Sequence, residues 1–158
     1  VEILLHPIGT VHNEHPRGSR PLTWHGVESR LVLDPQWTEA LSGLDGFSHA
    51  FVICYLHLIR GDVSPPYIHP QRRAEMPEVG FFGTRTPARP NPISLTVVEI
   101  VGREGSILHV RNLDMYDGTP VLDLKPYLTR GECVPGAQEP GWVARLHEIH
   151  DQERRGQT

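Results

Sequence analysis

Two stretches hold the residue types best suited to chemistry. The first, Val79 to Thr96, reads VGFFGTRTPARPNPISLT. Pro87, Pro90 and Pro92 hold its backbone extended, so Arg85, Arg89 and Asn91 project donors from a chain with little conformational entropy left to lose. A stiff strip of this kind presents guanidinium groups to a carboxylate or phosphate, and equally suits a rigid surface turn whose arginines face water. The second, Asn112 to Tyr127, reads NLDMYDGTPVLDLKPY. Asp117-Gly118 marks a turn, Pro120 fixes the exit, and Asp114, Asp117, Asp123 and Lys125 gather charge around a short strand. Asp123 and Lys125 are two apart and share one face of a strand, where an exposed ion pair is worth about 0–1 kcal/mol. Lys125 is the sole lysine among 15 basic residues.

Other patterns point less sharply. Gly46 to Ala50 (GFSHA) has the outline of a nucleophile elbow but opens an apolar strand, which speaks against a serine hydrolase. His147 and His150 lie three apart on an expected helix without acidic or cysteine partners in sequence, so they read as solvated histidines and no metal site is expected. His57 reads at first as a hydrogen-bonded core residue. No G-x-G-x-x-G follows a strand and no P-loop occurs. Cys54 and Cys133 are far apart and form no C-x-x-C, so neither a zinc site nor a disulfide framework is indicated.

These groups need a turn-rich scaffold. Val1 to Val11 predicts a first strand, broken at Pro7 and Gly9, and His12 to Gly26 a loop. Ser29 to Leu33 predicts a strand, followed by a short helix from Asp34-Pro35 through Leu41. Phe47 to Ile59 (FSHAFVICYLHLI) is a central core strand, and Arg60 to Glu78 a long irregular connection. Ile93 to Val101 and Ile107 to Val110 bracket a hairpin bend, Val121 to Leu124 is another strand, and Trp142 to Arg155 carries helical spacing. Strands recur without regular alternation with helices, which favours a mainly β fold: an antiparallel barrel with one or two short helices.

Composition sets the outer bounds. A chain of 158 residues is about one domain. Its 15 Gly and 15 Pro imply many turns and disfavour a long-helix bundle. A formal charge of −4 argues against nonspecific coating of nucleic acid. No apolar run reaches the roughly 20 residues of a membrane span, and the amino end lacks a signal-peptide pattern. The expectation is a soluble, cytoplasmic domain.

With these blocks in view, the chain resembles the TsaA-like family, also called YaeB-like or TrmO-like. That family's G-(V/I)-F-A-T-R-(S/T)-P-x-R-P-N-P-I-G-(L/M)-S signature corresponds to Val79 to Thr96, and its D-G-T-P-V-x-D-(I/L)-K-P-Y signature to Asp117 to Tyr127. The likeness extends to Ile8-Gly9 and to LDGFSH at Leu44 to His49, covering roughly residues 3–129. It implies a single domain over 1–158, with a core of about 3–129 and a partly helical tail. It also implies a compact β-barrel that binds S-adenosylmethionine outside the Rossmann plan, acts as a homodimer, and methylates N6 of threonylcarbamoyladenosine beside the tRNA anticodon.

By position, the resemblance places cofactor contacts at Trp24, His25 and Gly26, at Leu56 and His57, at Arg85 and Leu95, and at Asp117, Gly118, Thr119, Pro120 and Val121. His57 thereby moves from core filler to pocket wall. Arg72, Arg73, Arg89 and Asn91 become candidates for RNA contacts. Asp114, Asp123, Lys125 and Tyr127 are candidates to take the N6 proton, and spacing does not choose among them. Two alternatives stay open: a binding module for S-adenosylmethionine without transferase activity, and a small-molecule methyltransferase.

Overall fold

The computed structural model describes residues 1–59 and 65–156. It contains eight strands: β1 (Gly9–His12), β2 (Glu28–Leu33), β3 (His49–Tyr55), β4 (Tyr67–Ile68), β5 (Val79–Gly80), β6 (Ile93–Glu104), β7 (Ile107–Arg111) and β8 (Pro120–Pro126). Six close into an antiparallel barrel in the order β1-β2-β7-β6-β3-β8, and β4-β5 form a separate ribbon. One strand face packs inward because every second residue is aliphatic. Ser29, Leu31 and Leu33 of β2 point in, as do Ala50, Val52 and Cys54 of β3 and Leu108 and Val110 of β7. Val11, Val98 and Val121 complete the interior from β1, β6 and β8, and all three are inaccessible to solvent.

Closure depends on a residue with no side chain. Gly9 pairs with Leu33 on one side and Val121 on the other. A Cβ there would lie 2.4 Å from the Val32 carbonyl oxygen and 2.7 Å from Leu33 Cα. Both are backbone atoms, which cannot swing aside. The long β6 turns a corner: residues 93–99 pair with β3 and 99–104 with β7, with a register shift between Ile100 and Gly102.

Strand direction sorts the connections. β1, β3 and β7 end, and β2, β6 and β8 begin, at one mouth. That mouth therefore carries residues 13–27, 56–59, 65–92 and 112–119. Leu113 and Met115 of the last connection reach into the core. The opposite end carries residues 34–48 and the Gly105-Ser106 bend.

Several sequence expectations shift at their edges. The first strand begins only at Gly9, and Ile3, Leu4 and Leu5 stay exposed. The expected helix after Asp34 resolves into two 3-10 turns, Pro35–Trp37 and Glu39–Leu41, since the Thr38 hydroxyl donates to the Pro35 carbonyl and competes with helical pairing. The core strand stops at Tyr55 because the Leu56 N–H turns to the Pro92 carbonyl at 2.7 Å. Part of the connection expected over Arg60 to Glu78 lies outside the described residues, and the rest includes β4. After the barrel come a single helical turn, α1 (Thr129–Glu132), and the expected tail helix, α2 (Gly141–Arg155). The helix buries Leu146.

Two outcomes follow from this packing. Gly9→Ala should lower stability by about 1–3 kcal/mol, the usual cost of overpacking, in denaturant unfolding, whereas Gly46→Ala, which meets nothing within 4 Å, should stay near wild type. Burial pushes the Cys54 thiol up to about 12, while Cys133 is exposed. A thiol reagent at pH 8 should therefore label Cys133 promptly and Cys54 only after unfolding, read by mass spectrometry.

Candidate active site

The three mouth connections are bound into one surface. Asn13 ties the first to the third: its Nδ2 donates to Ser29 Oγ (3.0 Å) and to the Met115 carbonyl (2.9 Å), its Oδ1 accepts from the His15 N–H, and its own N–H donates to Asp117 Oδ1 (3.1 Å). Asp117 also faces His12 Nδ1 at 3.4 Å. The turn beyond is laced onto β1, since Gly118 N–H donates to the Val11 carbonyl and Val11 N–H to the Thr119 carbonyl. Gly118 adopts φ 80°, which suits glycine.

The expected cofactor residues of the first connection meet the third. Trp24 stands edge-on to His15 (5.5 Å) and to Tyr116 (5.8 Å). The Gly26 N–H donates to Asn112 Oδ1 at 2.7 Å, and the Asn112 N–H returns to the Val27 carbonyl. Asn112 itself has φ 73°, a left-handed conformation that asparagine tolerates. His25 is exposed beside them.

The middle connection joins at its roots. Thr96 Oγ1 donates to Asp114 Oδ1 at 2.6 Å, and Ser94 Oγ lies 3.6 Å from Met115 Sδ. Leu56 is half-buried and His57 exposed where β3 leaves the barrel. The strip expected to be stiff is stapled by threonines as well as prolines. Thr84 Oγ1 donates to the Phe81 carbonyl and accepts from the Thr86 N–H, and Thr86 Oγ1 accepts from the Ala88 N–H. Arg89 closes the strip on itself, donating to the Thr84 and Thr86 carbonyls at 3.4 and 3.3 Å. Arg85 and Asn91 remain exposed.

The remaining residues separate into distinct places. Arg73 is paired with Glu75 (3.3 Å) and with Glu153 of α2 (2.5 Å), whereas Arg72 is exposed in a left-handed conformation at φ 58°. Val121 points its side chain into the barrel core, and Thr119 is buried with its hydroxyl on the Tyr116 carbonyl, so both reach the mouth through backbone. Pro120 is half-buried at the start of β8.

Leu95, Asp123 and Lys125 lie on the outer barrel wall. There Ile53 pairs with Leu95 on one side and Asp123 on the other, and Lys125 Nζ meets Asp123 Oδ2 at 2.8 Å, the expected pair. Tyr127 lies beyond β8 at the opposite barrel end, packed on His49 and Phe51. Of the four expected proton acceptors, Asp114 alone stands at the mouth. A separate apolar cleft under Trp37, Leu44 and Phe47 opens at the far end, remote from this set.

Sequence reasoning passed over Thr84, which bonds to its own neighbours Phe81 and Thr86, and Asn13, Thr96, Asn112 and Tyr116, polar or aromatic residues with partners distant in the chain. The Asn13-to-Asp117 link spans 104 positions.

The arrangement has known counterparts. A crystal structure of TrmO from Pseudomonas aeruginosa superposes with a TM-score of 0.72 at 25% identity, covering 98% of this chain and 75% of that one. A probable S-adenosyl-L-methionine-binding protein of Pyrococcus abyssi is 36% identical over 93% of this chain and 80% of its own length. The tRNA (adenine(37)-N6)-methyltransferase of Escherichia coli is 35% identical over 70% of this chain, which spans about half (48%) of that enzyme. The barrel, the three connections at its mouth and both signature stretches lie almost wholly within residues 8–133, which match the model of the tRNA-methyltransferase O N-terminal domain, and the chain belongs to that family.

Proposed function

We propose that this chain binds S-adenosylmethionine at the three-connection mouth and methylates N6 of the threonylcarbamoyl-modified adenosine beside a tRNA anticodon. The observation that carries the reading is the convergence of Trp24, Gly26, Leu56, Asp114 and the Asp117–Val121 turn at one barrel end, in a member of a family whose named enzymes act on adenine 37.

The donor set suits the cofactor. Trp24 offers an aromatic face, and Arg85 a guanidinium with no internal partner among the described residues, matched to a carboxylate. The N–H groups of Asp117, Gly118 and Thr119 are already given to the carbonyls of His15, Val11 and Tyr116. What this turn can offer an adenine edge is therefore carbonyl oxygen, an acceptor for an exocyclic amine.

Bound S-adenosylmethionine supplies an electrophilic methyl carbon: the N6 lone pair forms the new C–N bond, the sulfur keeps the pair of the broken C–S bond, and N6 gives up a proton. The protein's share is chiefly alignment, since the reaction is an in-line displacement. Asp114 is the group we assign to receive the proton. Thr96 holds its Oδ1, which fixes the carboxylate and leaves Oδ2 for the substrate.

The outer wall supports a homodimer. Tyr55, Ile93, Leu95, Val97 and Leu128 are all more than a third exposed, and β3 and β6 place the first four side by side. A continuous apolar wall on a barrel is the mark of an association surface. A second copy laid there would also bring Leu95 and Lys125 into an enclosed environment, which reconciles their place in the signatures with their distance from the mouth. One observation favours the alternative of a binding module. Relatives covered over most of their length, from Pyrococcus abyssi and Methanothermobacter thermautotrophicus, are named only as probable S-adenosyl-L-methionine-binding proteins.

The deciding experiment incubates the chain with methyl-labelled cofactor and total tRNA, followed by nucleoside analysis. Label on the modified adenosine supports the proposal, and tight cofactor binding without transfer supports the module. Arg85→Ala should weaken cofactor binding about tenfold, the scale of one charge-assisted hydrogen bond. Asp114→Asn should leave that constant in place and slow transfer about 100-fold. On the outer wall, Val97→Glu should convert a sedimenting dimer to monomer without loss of folded signal, and an unchanged dimer would move the interface elsewhere.

A further inference from the structure

Phe82 is 76% exposed, yet it sits in one of the more firmly braced parts of the chain. Burying such a ring would be favourable, and the fold forgoes it. The ring is not on a loose segment. It belongs to the tight turn Phe81–Gly83, closed by the N–H and hydroxyl of Thr84 on the Phe81 carbonyl, and it stands edge-on to Phe81 at 4.4 Å. On the adjoining ribbon Tyr67 is 59% exposed, and its cross-strand partner Gly80 has no side chain to cover it. A cation lies on the same connection: Arg72, in the turn that follows β4. Among the described residues its guanidinium has no hydrogen-bond or ion-pair partner, whereas that of neighbouring Arg73 is engaged.

We propose that Phe82 is a stacking platform for an unpaired RNA base, with Arg72 meeting a phosphate of the same strand and Tyr67 offering a second aromatic face. This rests on the tRNA reading above and names the residues by which the substrate is held. Every base has a π face, so a rigid exposed ring accepts one whatever its identity, and an unpaired guanidinium on the same connection neutralises the backbone that carries the base. An apolar protein partner would use the rings but leave Arg72 without counter-charge.

The test measures binding of an anticodon stem–loop RNA, and of the same RNA with single abasic positions in the loop, to the wild-type chain and to Phe82→Ala and Phe82→Trp, with cofactor binding measured alongside. Phe82→Ala should weaken the intact RNA about tenfold, within the range for losing one base–aromatic stack, and Phe82→Trp should retain affinity. One abasic position should cost the wild type as much and cost Phe82→Ala nothing further. Equal affinity of Phe82→Ala and wild type, or one factor of loss on every RNA including all the abasic ones, overturns the proposal. So does a shift of Phe82→Ala from dimer to monomer in sedimentation, which assigns the ring to a contact between copies. A wild-type chain that holds cofactor but binds no RNA removes the tRNA reading and this inference together. A wild-type chain that methylates tRNA, beside an indistinguishable Phe82→Ala, removes this inference alone.

Discussion

Everything at the mouth hangs on the closing of the barrel between β1 and β8. A four-residue strand must pair with β2 on one edge and β8 on the other, and the room for that exists because Gly9 brings backbone against the backbone of Val32 and Leu33. Once β1 is seated, the carbonyl of Val11 captures Gly118 and its N–H captures the Thr119 carbonyl. The turn that holds five of the twelve expected cofactor contacts is therefore positioned by barrel closure itself. An open sheet would leave β1 and β8 as free edges and that turn without a register.

The second level of order is polar and lies outside the core. Asn13 uses its side-chain oxygen, its amide and its backbone N–H on three different parts of the mouth, so first and third connections move as one body. Ser29, buried on β2, receives one of those bonds and is thereby satisfied inside an otherwise aliphatic barrel. This is a fitting way to hold a reaction that asks mainly for alignment. The same network keeps Asp114 on Thr96 instead of on a cation, so its carboxylate is oriented without being neutralised.

Much of the scaffold was readable from residue order. Alternation in Glu28 to Leu33 and His49 to Tyr55 announces strands with one buried face, and the Pro density after the second of them announces a connection long enough to work at a site. Errors gathered where local pattern and tertiary partner disagree. Leu56 to Ile59 is as apolar as the strand before it, but Pro92 takes the Leu56 N–H and turns the chain. Ile3 to Leu5 looks like a strand but stays exposed and pairs with no strand among the described residues. The site was readable through its two signature stretches, and hardly at all through the residues that join them. A link such as Asn13 to Asp117 leaves no local trace, because nothing near either residue in sequence depends on it.

The arginines show why residue type alone assigns so little. Arg72 and Arg73 are neighbours in sequence, and both are plausible phosphate ligands on charge alone. Arg73 is drawn between Glu75 and Glu153, so its charge is already matched and α2 is tied to the segment after β4. His150 of the same helix reinforces the tie through Gln71, at 2.6 Å. Gln71 and Arg72 both occupy the left-handed region, at φ 54° and 58°, which costs free energy that surrounding contacts must offset. The two bonds from α2 fall on either side of Arg72 and supply that offset. Among the described residues Arg72 is left exposed with its charge unmatched, while its neighbour holds the chain in place. The same division separates Arg85 from Arg89, where one guanidinium closes the strip on itself and the other has no partner among the described residues. In each pair an internal arginine makes the backbone rigid, and the free one gains a fixed direction from which to meet an anion.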